Sequence, residues 1–343
     1  MHHLEDTTMP AFEKEPANPF ALIPPSRRES FKHRDEVPFR RVVAGPSKAD
    51  AYWMAEAALL AYARPEGNRW FAHASKAFKT AFSAPLADAT KVSVRHGAGR
   101  KRGTNWYLIS ANEFNLLVFR GSEVPGQIND LPQLGQVLRD WVVTNAQFLP
   151  SHLGNGARAH EGFTEAYAEV APAIDKALRE SVNPNARLFI TGHSLGGAMA
   201  VLAAASLQNF FGTITCYTFG APRVGDRGFA RMLANVAMFR YELGDDLVTR
   251  VPPRAFGYQH VPMTAIHYNS VDSGSTTRWD IPLSDTWYSL SLGYMQLKSA
   301  SGTILDQVAD KQLSKAALSA LRPLVDHAPV LYAIAAYNDW VRG

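Results

Sequence analysis

The feature that most restricts the fold is a strand, a tight turn and a helix in direct succession. Residues 186–192, ARLFITG, form an apolar run that is too short for a helix and suits a buried strand. Residues 195–210, LGGAMAVLAAASLQNF, predict a helix whose small side chains allow close packing on a sheet. Another apolar run, TITCYTFG at 213–220, predicts the next strand. This order is typical of parallel strands joined by a crossover helix.

The same alternation continues on both sides of this unit. Helical patterns occur in KADAYWMAEAALLAYA (48–63), GFTEAYAEVAPAIDKALRES (162–181) and DRGFARMLANV (226–236). Strand patterns occur in NWYLISANEFNLLVFRGS (105–122, a hairpin), MFRYELG (238–244) and MTAIHYNSV (263–271). Because the strands are continuously apolar, we predict an α/β fold with a mostly parallel central sheet covered by helices on both faces.

Composition indicates one folded domain with an N-terminal arm. The chain has 343 residues, of which 46% are hydrophobic and 19% charged, which suits a sizeable core. Residues 1–47 are rich in proline and charge and predict an extended arm, whereas no boundary interrupts 48–343. The net charge of +4 is typical of a solvated basic surface. With Cys216 as its single cysteine, the chain can form no intramolecular disulfide.

The sequence also bears on location. The first thirty residues lack an apolar core behind a basic start, so we expect no Sec-type signal peptide. No run reaches the roughly 18 apolar residues of a membrane-spanning helix. We therefore expect a soluble protein without a transmembrane segment, cytoplasmic by default or exported by a route that needs no such signal.

The turn between the first strand and its helix holds a candidate nucleophile, Ser194. Residues 192–196, GHSLG, fit G-x-S-x-G, which is weak evidence alone. The predicted strand before it and helix after it are the context of a nucleophile elbow, a strained turn that exposes the serine. Ser194 then stands at the carboxyl end of a parallel strand, where the helix N-terminus favours negative charge.

A serine hydroxyl needs a histidine base, which in turn needs a carboxylate. On this fold the acid and then the base follow the serine in the chain. Asp246, with Asp245 as its rival, follows the strand pattern at 238–244. Three histidines lie farther on and are candidates for the base: His260, His267 and His327. Chain order alone favours the last of them.

Seven motifs in order resemble the class 3 lipases, the fungal-type triacylglycerol lipase family. They are VFRGS (118–122), RDWVVTNAQF (139–148), AHEGFTEAY (159–167), ITGHSLGGAMAVLAA (190–204), YTFGAPRVGDRGFA (217–230), DLVTRVPPRAFGYQHV (246–261) and VDHAPVLY (325–332). The resemblance covers about 48–270 and then 322–333. It implies an α/β-hydrolase fold and a serine hydrolase.

The resemblance also assigns roles to single residues. Ser194 falls on the nucleophile, Asp246 on the acid and His327 on the base. The backbone N–H groups of Ser122 and Leu195 fall on the oxyanion hole, to which the Ser122 hydroxyl could add a donor. His260 falls on a structural position, and no metal or cofactor is implied.

The sequence departs from the family pattern at three places. Thr249 stands where the family usually has proline. The sequence that follows Ser122, within residues 123–142, is longer than in the family pattern. About fifty residues, 271–321, are inserted before the histidine. The extended stretch is a candidate lid, because its apolar residues recur at helical spacing. These are Leu131, Leu134, Leu138 and Trp141. Family lipases carry a lid at this place.

These observations predict a carboxylic-ester hydrolase, with acylglycerols at a lipid–water interface as the expected substrate and no nucleic-acid partner. A phospholipase A1 or a feruloyl-type esterase would use the same site, and only the substrate would differ. A lipid-binding module with an inactive site is a different class, which an intact serine, acid and base argue against. A peptidase on this fold is the remaining alternative.

Overall fold

A computed structural model describes most of the chain. The described residues are 10–17, 22, 28–40, 46–63, 70–83, 92–101, 103–122, 150–154, 156–280, 322–323 and 325–343. The candidate lid at 123–142 lies outside them, and so does the insert apart from its first ten residues, 271–280.

Helices and strands alternate along the described chain. The strands are β1 (Ser93–Ala98), β2 (Asn105–Ser110), β3 (Phe114–Phe119), β4 (Pro150–His152), β5 (Arg158–His160), β6 (Arg187–His193), β7 (Ile214–Phe219), β8 (Gly225–Asp226), β9 (Ala237–Leu243), β10 (Tyr258–Gln259), β11 (Thr264–Tyr268) and β12 (Ser275–Trp279). The helices are α1 (Lys48–Leu60), α2 (Trp70–Ser83), α3 (Glu161–Arg179), α4 (Leu195–Leu207), α5 (Arg227–Met232) and α6 (Pro329–Val341). Two short 3-10 turns lie at Val248–Arg250 and Arg254–Phe256.

Eight of these strands form the central sheet, in the order β1-β2-β3-β6-β7-β9-β11-β12. The five strands from β3 to β11 are parallel, while β1, β2 and β12 join antiparallel at the two edges. Every residue of β2, β3 and β7 is buried, as expected for strands covered on both faces. The predicted α/β fold with a mostly parallel sheet is therefore confirmed, including the hairpin of β2 and β3.

Two apolar cores lie on opposite faces of the sheet. Helices α1, α2 and α6 contribute to one core, and α3 and α4 to the other. Helix α4 approaches the sheet closely because its facing residues are small: a Cβ on Gly197 would lie 2.6 Å from the Cβ of Ala221. Helix α1 is buried almost throughout, between α6 and the sheet. This packing fixes the turns at the carboxyl ends of the parallel strands.

Described parts of the arm lie on the first of these cores. The rings of Phe31 and Phe39 pack against Trp53 of α1 and Phe82 of α2. The division into an arm and a domain at residue 48 stays a prediction. Within the described ranges, no helix combines the length and apolarity needed to cross a membrane.

The helices and strands that were not predicted from the sequence are the short strands β4, β5, β8 and β10, together with β1, α2, α6 and β12. The last of these begins the 271–321 insert and extends the sheet by pairing with β11. Helix α6 has a stronger bearing on the site, because it starts two residues after His327 and is buried along almost its whole length.

Candidate active site

Ser194 sits in a strained turn between β6 and α4. Its backbone has φ 58° and ψ −128°, a left-handed φ that side chains other than glycine rarely adopt. The strain is held on both sides, since the Ser194 N–H donates to the carbonyl of Phe219 at 3.0 Å and α4 begins at the next residue. The turn presents the side chain above the carboxyl edge of the sheet, as an elbow requires.

Gly192 and Gly196 of the motif must lack a side chain, because backbone atoms of other residues lie where their Cβ atoms would be. A Cβ on Gly192 would lie 2.2 Å from the carbonyl oxygen of Gly196. A Cβ on Gly196 would lie 2.3 Å from the carbonyl oxygen of Phe119, at the end of β3. The G-x-S-x-G spacing therefore allows the turn to close against its own helix and the neighbouring strand.

Ser194, His327 and Asp246 form a continuous hydrogen-bonded chain. The Ser194 Oγ lies 2.9 Å from His327 Nε2, and His327 Nδ1 lies 2.9 and 3.0 Å from the two carboxylate oxygens of Asp246. A carboxylate only accepts, so Nδ1 carries the proton and the unprotonated Nε2 accepts from the serine hydroxyl. All three are buried, at 8%, 8% and 2% exposure. This is the arrangement in which a histidine can take the serine proton.

The Asp246 carboxylate has two further donors. The Tyr332 hydroxyl donates to one oxygen at 2.6 Å and the Val248 N–H to the other at 2.9 Å. Burial, and then the charge of Asp246, raises the pKa of Tyr332 well above its usual value, so the phenol remains a donor. These donors, together with His327, fix the orientation of the carboxylate beside the imidazole.

Thr249 has a local role in the same loop. Its hydroxyl donates to the backbone carbonyl of Asp246 at 2.8 Å, at the position where the family pattern has proline. The side chain supplies a hydrogen bond within the turn where proline would supply a fixed φ. The loop that carries the acid is thus still restrained.

The alternative candidates for the acid and the base, Asp245, His260 and His267, form hydrogen bonds with residues outside the triad. Asp245 directs its carboxylate to Arg250, and its side chain is 73% exposed. His260 and His267 each bond a backbone carbonyl through Nε2, at 2.6 and 3.0 Å. Burial lowers the pKa of His260 well below its usual value, which keeps it a neutral donor to that carbonyl. The structure therefore places the favoured acid and base next to Ser194, and their catalytic roles stay predictions.

The two residues expected to bind an oxyanion flank the serine. Strands β3 and β6 are parallel with Phe119 opposite Gly192, so Ser122 lies just beyond the strand end, next to the elbow. Its hydroxyl is buried and has no hydrogen-bond partner among the described residues. Leu195 opens α4, whose first N–H groups have no acceptor within the helix. Their role in binding an oxyanion stays a prediction.

Three residues that the sequence analysis did not single out complete the site: Tyr332, Tyr62 and His193. The Tyr62 hydroxyl bonds His193 Nδ1 at 3.0 Å, and His193 Nε2 donates to the carbonyl of His327 at 2.8 Å. Burial, the largest cause, lowers the pKa of His193 well below its usual value, so Nδ1 accepts from the tyrosine. Tyr62 also accepts from the N–H of Gly121. This chain connects the end of β3 to the loop of the base.

The parallel sheet and the elbow at Ser194 are those of the α/β-hydrolase fold, and comparison with known structures agrees on the fold. Lipase II from Rhizopus niveus aligns with 68% of this chain and 86% of its own, at a TM-score of 0.52 and 24% identity. At that identity the likeness supports the fold alone.

Sequence comparison identifies the family. Residues 116–256 match the model of the family Lipase (class 3). The secreted mono- and diacylglycerol lipase 1 of Fusarium solani is 38% identical over 47% of this chain and 47% of its own. A lipase of Rhizomucor miehei is 31% identical over 42% of this chain and 39% of its own. The match spans less than half of each of these relatives, and the family-model match at 116–256 includes the elbow and the acid loop. The resemblance of this sequence to the class 3 lipases is therefore confirmed over residues 116–256.

Proposed function

We propose that this protein is a serine carboxylic-ester hydrolase that acts on acylglycerol esters. The observation that carries the proposal is the buried chain from Ser194 through His327 to Asp246, with 2.9 Å at each of its two links. Relatives named mono- and diacylglycerol lipases support the acylglycerol substrate. Neither a phospholipid nor a feruloyl ester is indicated by those names.

The reaction begins with nucleophilic attack. His327 takes the proton of Ser194 as the hydroxyl oxygen attacks the ester carbonyl. The carbonyl oxygen becomes an oxyanion, which accepts from the amides of Leu195 and Ser122 and from the Ser122 hydroxyl. His327 then gives its proton to the leaving alcohol, so that an acyl-enzyme remains. Water, deprotonated by the same imidazole, attacks the acyl-enzyme. His327 then returns that proton to the Ser194 oxygen as the acyl–oxygen bond breaks and the fatty acid leaves.

Charge is balanced inside the site during both steps. The imidazolium that forms on His327 lies against the Asp246 carboxylate, which is only 2% exposed and accepts from Tyr332 and Val248. Low exposure strengthens this attraction, because little water screens it. The fixed donors around Asp246 also prevent the carboxylate from rotating away from Nδ1, which preserves the tautomer that the attack needs.

The substrate is proposed to reach the site from a lipid–water interface. The candidate lid at 123–142 follows Ser122 directly in the chain, and its apolar spacing suits a helix that covers the site in water and faces lipid at an interface. The division of the chain into an arm at 1–47 and a domain at 48–343, with an insert at 271–321, is part of this proposal. Relatives named as secreted support the exported alternative for location.

The test compares wild type with Ser194→Ala on triglyceride emulsions of short, medium and long acyl chain, beside a phospholipid. Ser206→Ala is the matched control, because Ser206 is an exposed serine farther along the same helix, α4. We expect hydrolysis of the emulsions by wild type and control, and a loss of at least about 10³-fold in Ser194→Ala. A fluorophosphonate probe should label wild type and control and leave Ser194→Ala unlabelled.

The outcomes separate the alternatives. Turnover of the phospholipid alone would replace the acylglycerol proposal with a phospholipase. Equal activity in wild type and Ser194→Ala would show that Ser194 is not the nucleophile. Absence of both turnover and labelling in wild type would favour the lipid-binding module. A rise in rate once the substrate forms an emulsion would support the lid, and a rate that follows only dissolved substrate would contradict it.

A further inference from the structure

A buried carboxylate beside the triad has no part in the reaction described above. Asp326 immediately precedes His327 and is 2% exposed. One of its oxygens accepts from the backbone N–H of Asp245 at 2.9 Å, and Asp245 immediately precedes Asp246. A single side chain therefore joins the loop of the base to the loop of the acid, one residue away from each.

The acid loop is shaped to receive this carboxylate. Gly244 has φ 50°, and a Cβ on it would lie 2.1 Å from the nearer oxygen of Asp326. Only glycine leaves room for the carboxylate there. A second link is weaker, a backbone bond of 3.3 Å from Leu247 N–H to the carbonyl of Pro323. Apart from the His327–Asp246 pair itself, the bond to Asp326 is thus the shorter of the two hydrogen bonds described between these loops.

Arg322 supplies the counter-charge of Asp326. Burial, and to a smaller extent the charge of Asp246, raises the pKa of Asp326 to about 6, while Arg322 and the Asp245 N–H act in the opposite direction. The Arg322 Nε lies 2.5 Å from an oxygen of Asp326. Arg322 is itself 38% exposed, so its position depends on what holds its outer side.

The arm holds that outer side. Glu15 accepts from Arg322 Nη1 at 3.0 and 3.2 Å. Two residues earlier, Glu13 is fixed to α6: its N–H donates to the side-chain oxygen of Asn338 at 2.8 Å, and the side-chain nitrogen of Asn338 donates to its carbonyl at 2.8 Å. Arg28 then ties the Glu13 carboxylate back to α1. Glu15 is therefore presented by a segment fastened to two helices.

We propose that Asp326 is a positioning residue for His327 and Asp246, and that Glu15 of the arm acts on it through Arg322. The inference rests on the proposed function, because it assigns a role in placing that acid and base. Without Asp326, the 3.3 Å backbone bond from Leu247 to Pro323 is what remains among the described links besides the His327–Asp246 pair itself, so the distance within that pair is less tightly held. A misplacement of about 1 Å can cost on the order of 10²-fold in rate.

The test measures kcat and KM on a water-soluble p-nitrophenyl ester, which needs no interface. The variants are Asp326→Ala, Arg322→Gln and Glu15→Gln. The matched control is Arg95→Gln, because Arg95 is 40% exposed and forms an ion pair with Glu180 far from the triad. We expect kcat to fall about 30-fold, 10-fold and 3-fold in that order, with KM within twofold of wild type. The control should stay within twofold in both constants.

Two further readouts separate positioning from general stability. Arg322→Gln and Arg95→Gln should lower the melting temperature by similar amounts, while only the first lowers kcat. Arg322→Lys, which keeps the charge, should regain at least half of the lost activity. The downfield proton resonance of the hydrogen bond between His327 and Asp246 should broaden or move in Arg322→Gln and remain in place in the control.

The inference is wrong if Arg322→Gln and Glu15→Gln fold, melt like the control and retain kcat within twofold of wild type. Those two variants decide the matter even where Asp326→Ala does not fold, because both residues are partly exposed. Failure of the proposed function has a different signature: wild type itself would then neither hydrolyse the ester nor take up a fluorophosphonate label at Ser194.

Discussion

Gly220 faces the triad from the end of β7, and we expect alanine there to disable it. The residue has φ 56°, and a Cβ on it would lie 2.7 Å from a carboxylate oxygen of Asp246. The same Cβ would lie 3.1 Å from both His327 Nδ1 and the Tyr332 hydroxyl. A single methyl group would therefore enter the space where the acid meets the base and the tyrosine.

Two costs of Gly220→Ala follow from this geometry. The left-handed backbone costs about 1–2 kcal/mol of stability in any residue with a Cβ. To relieve the clash, the contact with the Asp246 carboxylate must lengthen from 2.7 Å to the 3.4 Å of ordinary contact. Since a 1 Å misplacement costs on the order of 10²-fold, we expect kcat to fall about 30- to 100-fold.

Gly257→Ala is the matched control for this prediction. Gly257 has φ 85°, and a Cβ on it would meet no atom within 4 Å. Both variants share the backbone strain, so the loss of unfolding free energy of Gly257→Ala in urea measures that cost alone. Gly220→Ala should lose more, because of the clash, and only Gly220→Ala should lose kcat on the soluble ester. A kcat for Gly220→Ala within threefold of that for Gly257→Ala would refute the reasoning.

Two further predictions concern the groups around the acid. Tyr332→Phe removes the 2.6 Å hydrogen bond to Asp246 and the acceptor of the Leu243 N–H. We therefore expect kcat to fall about 10-fold and the free energy of unfolding to fall by about 1–3 kcal/mol. An unchanged kcat and an unchanged urea denaturation curve would contradict this. Asp326 has a pKa of about 6, above its ordinary 3.8, so the native state holds this proton more tightly than the unfolded chain. The stability of wild type relative to Asp326→Asn should therefore decrease as pH rises from about 4 to 6 and then level off, and a difference that is constant over that range would count against it.

Much of the fold could be predicted from local patterns. The strand, turn and helix around Ser194, the hairpin of β2 and β3, and the succession of helices and parallel strands along the chain all follow from apolar runs and small residues in the sequence. Helices α2 and α6 were missed. Helix α6 is buried along most of its length, so it shows no polar face from which helical periodicity could be recognised.

The candidate triad was only partly predictable. Chain order and resemblance favoured Asp246 and His327 over their rivals, because the order of acid and base is shared by this fold. Tyr62 lies in none of the seven motifs, and Asp326 and Tyr332 lie in VDHAPVLY, where only His327 was assigned a role. Each is tied to the site by a hydrogen bond to a residue tens of positions away, and such pairings depend on how the loops pack.

The sequence by itself determined the alternation of strands and helices and the elbow at Ser194 with Gly192, because these depend on neighbours within a few residues, whereas Gly196 is needed because β3 passes close to it. Only the tertiary structure decided that Asp245 faces Arg250 while Asp246 faces His327, and that the arm reaches Arg322. Adjacent residues on a loop can point in opposite directions, and the direction is fixed by contacts with segments distant in the chain.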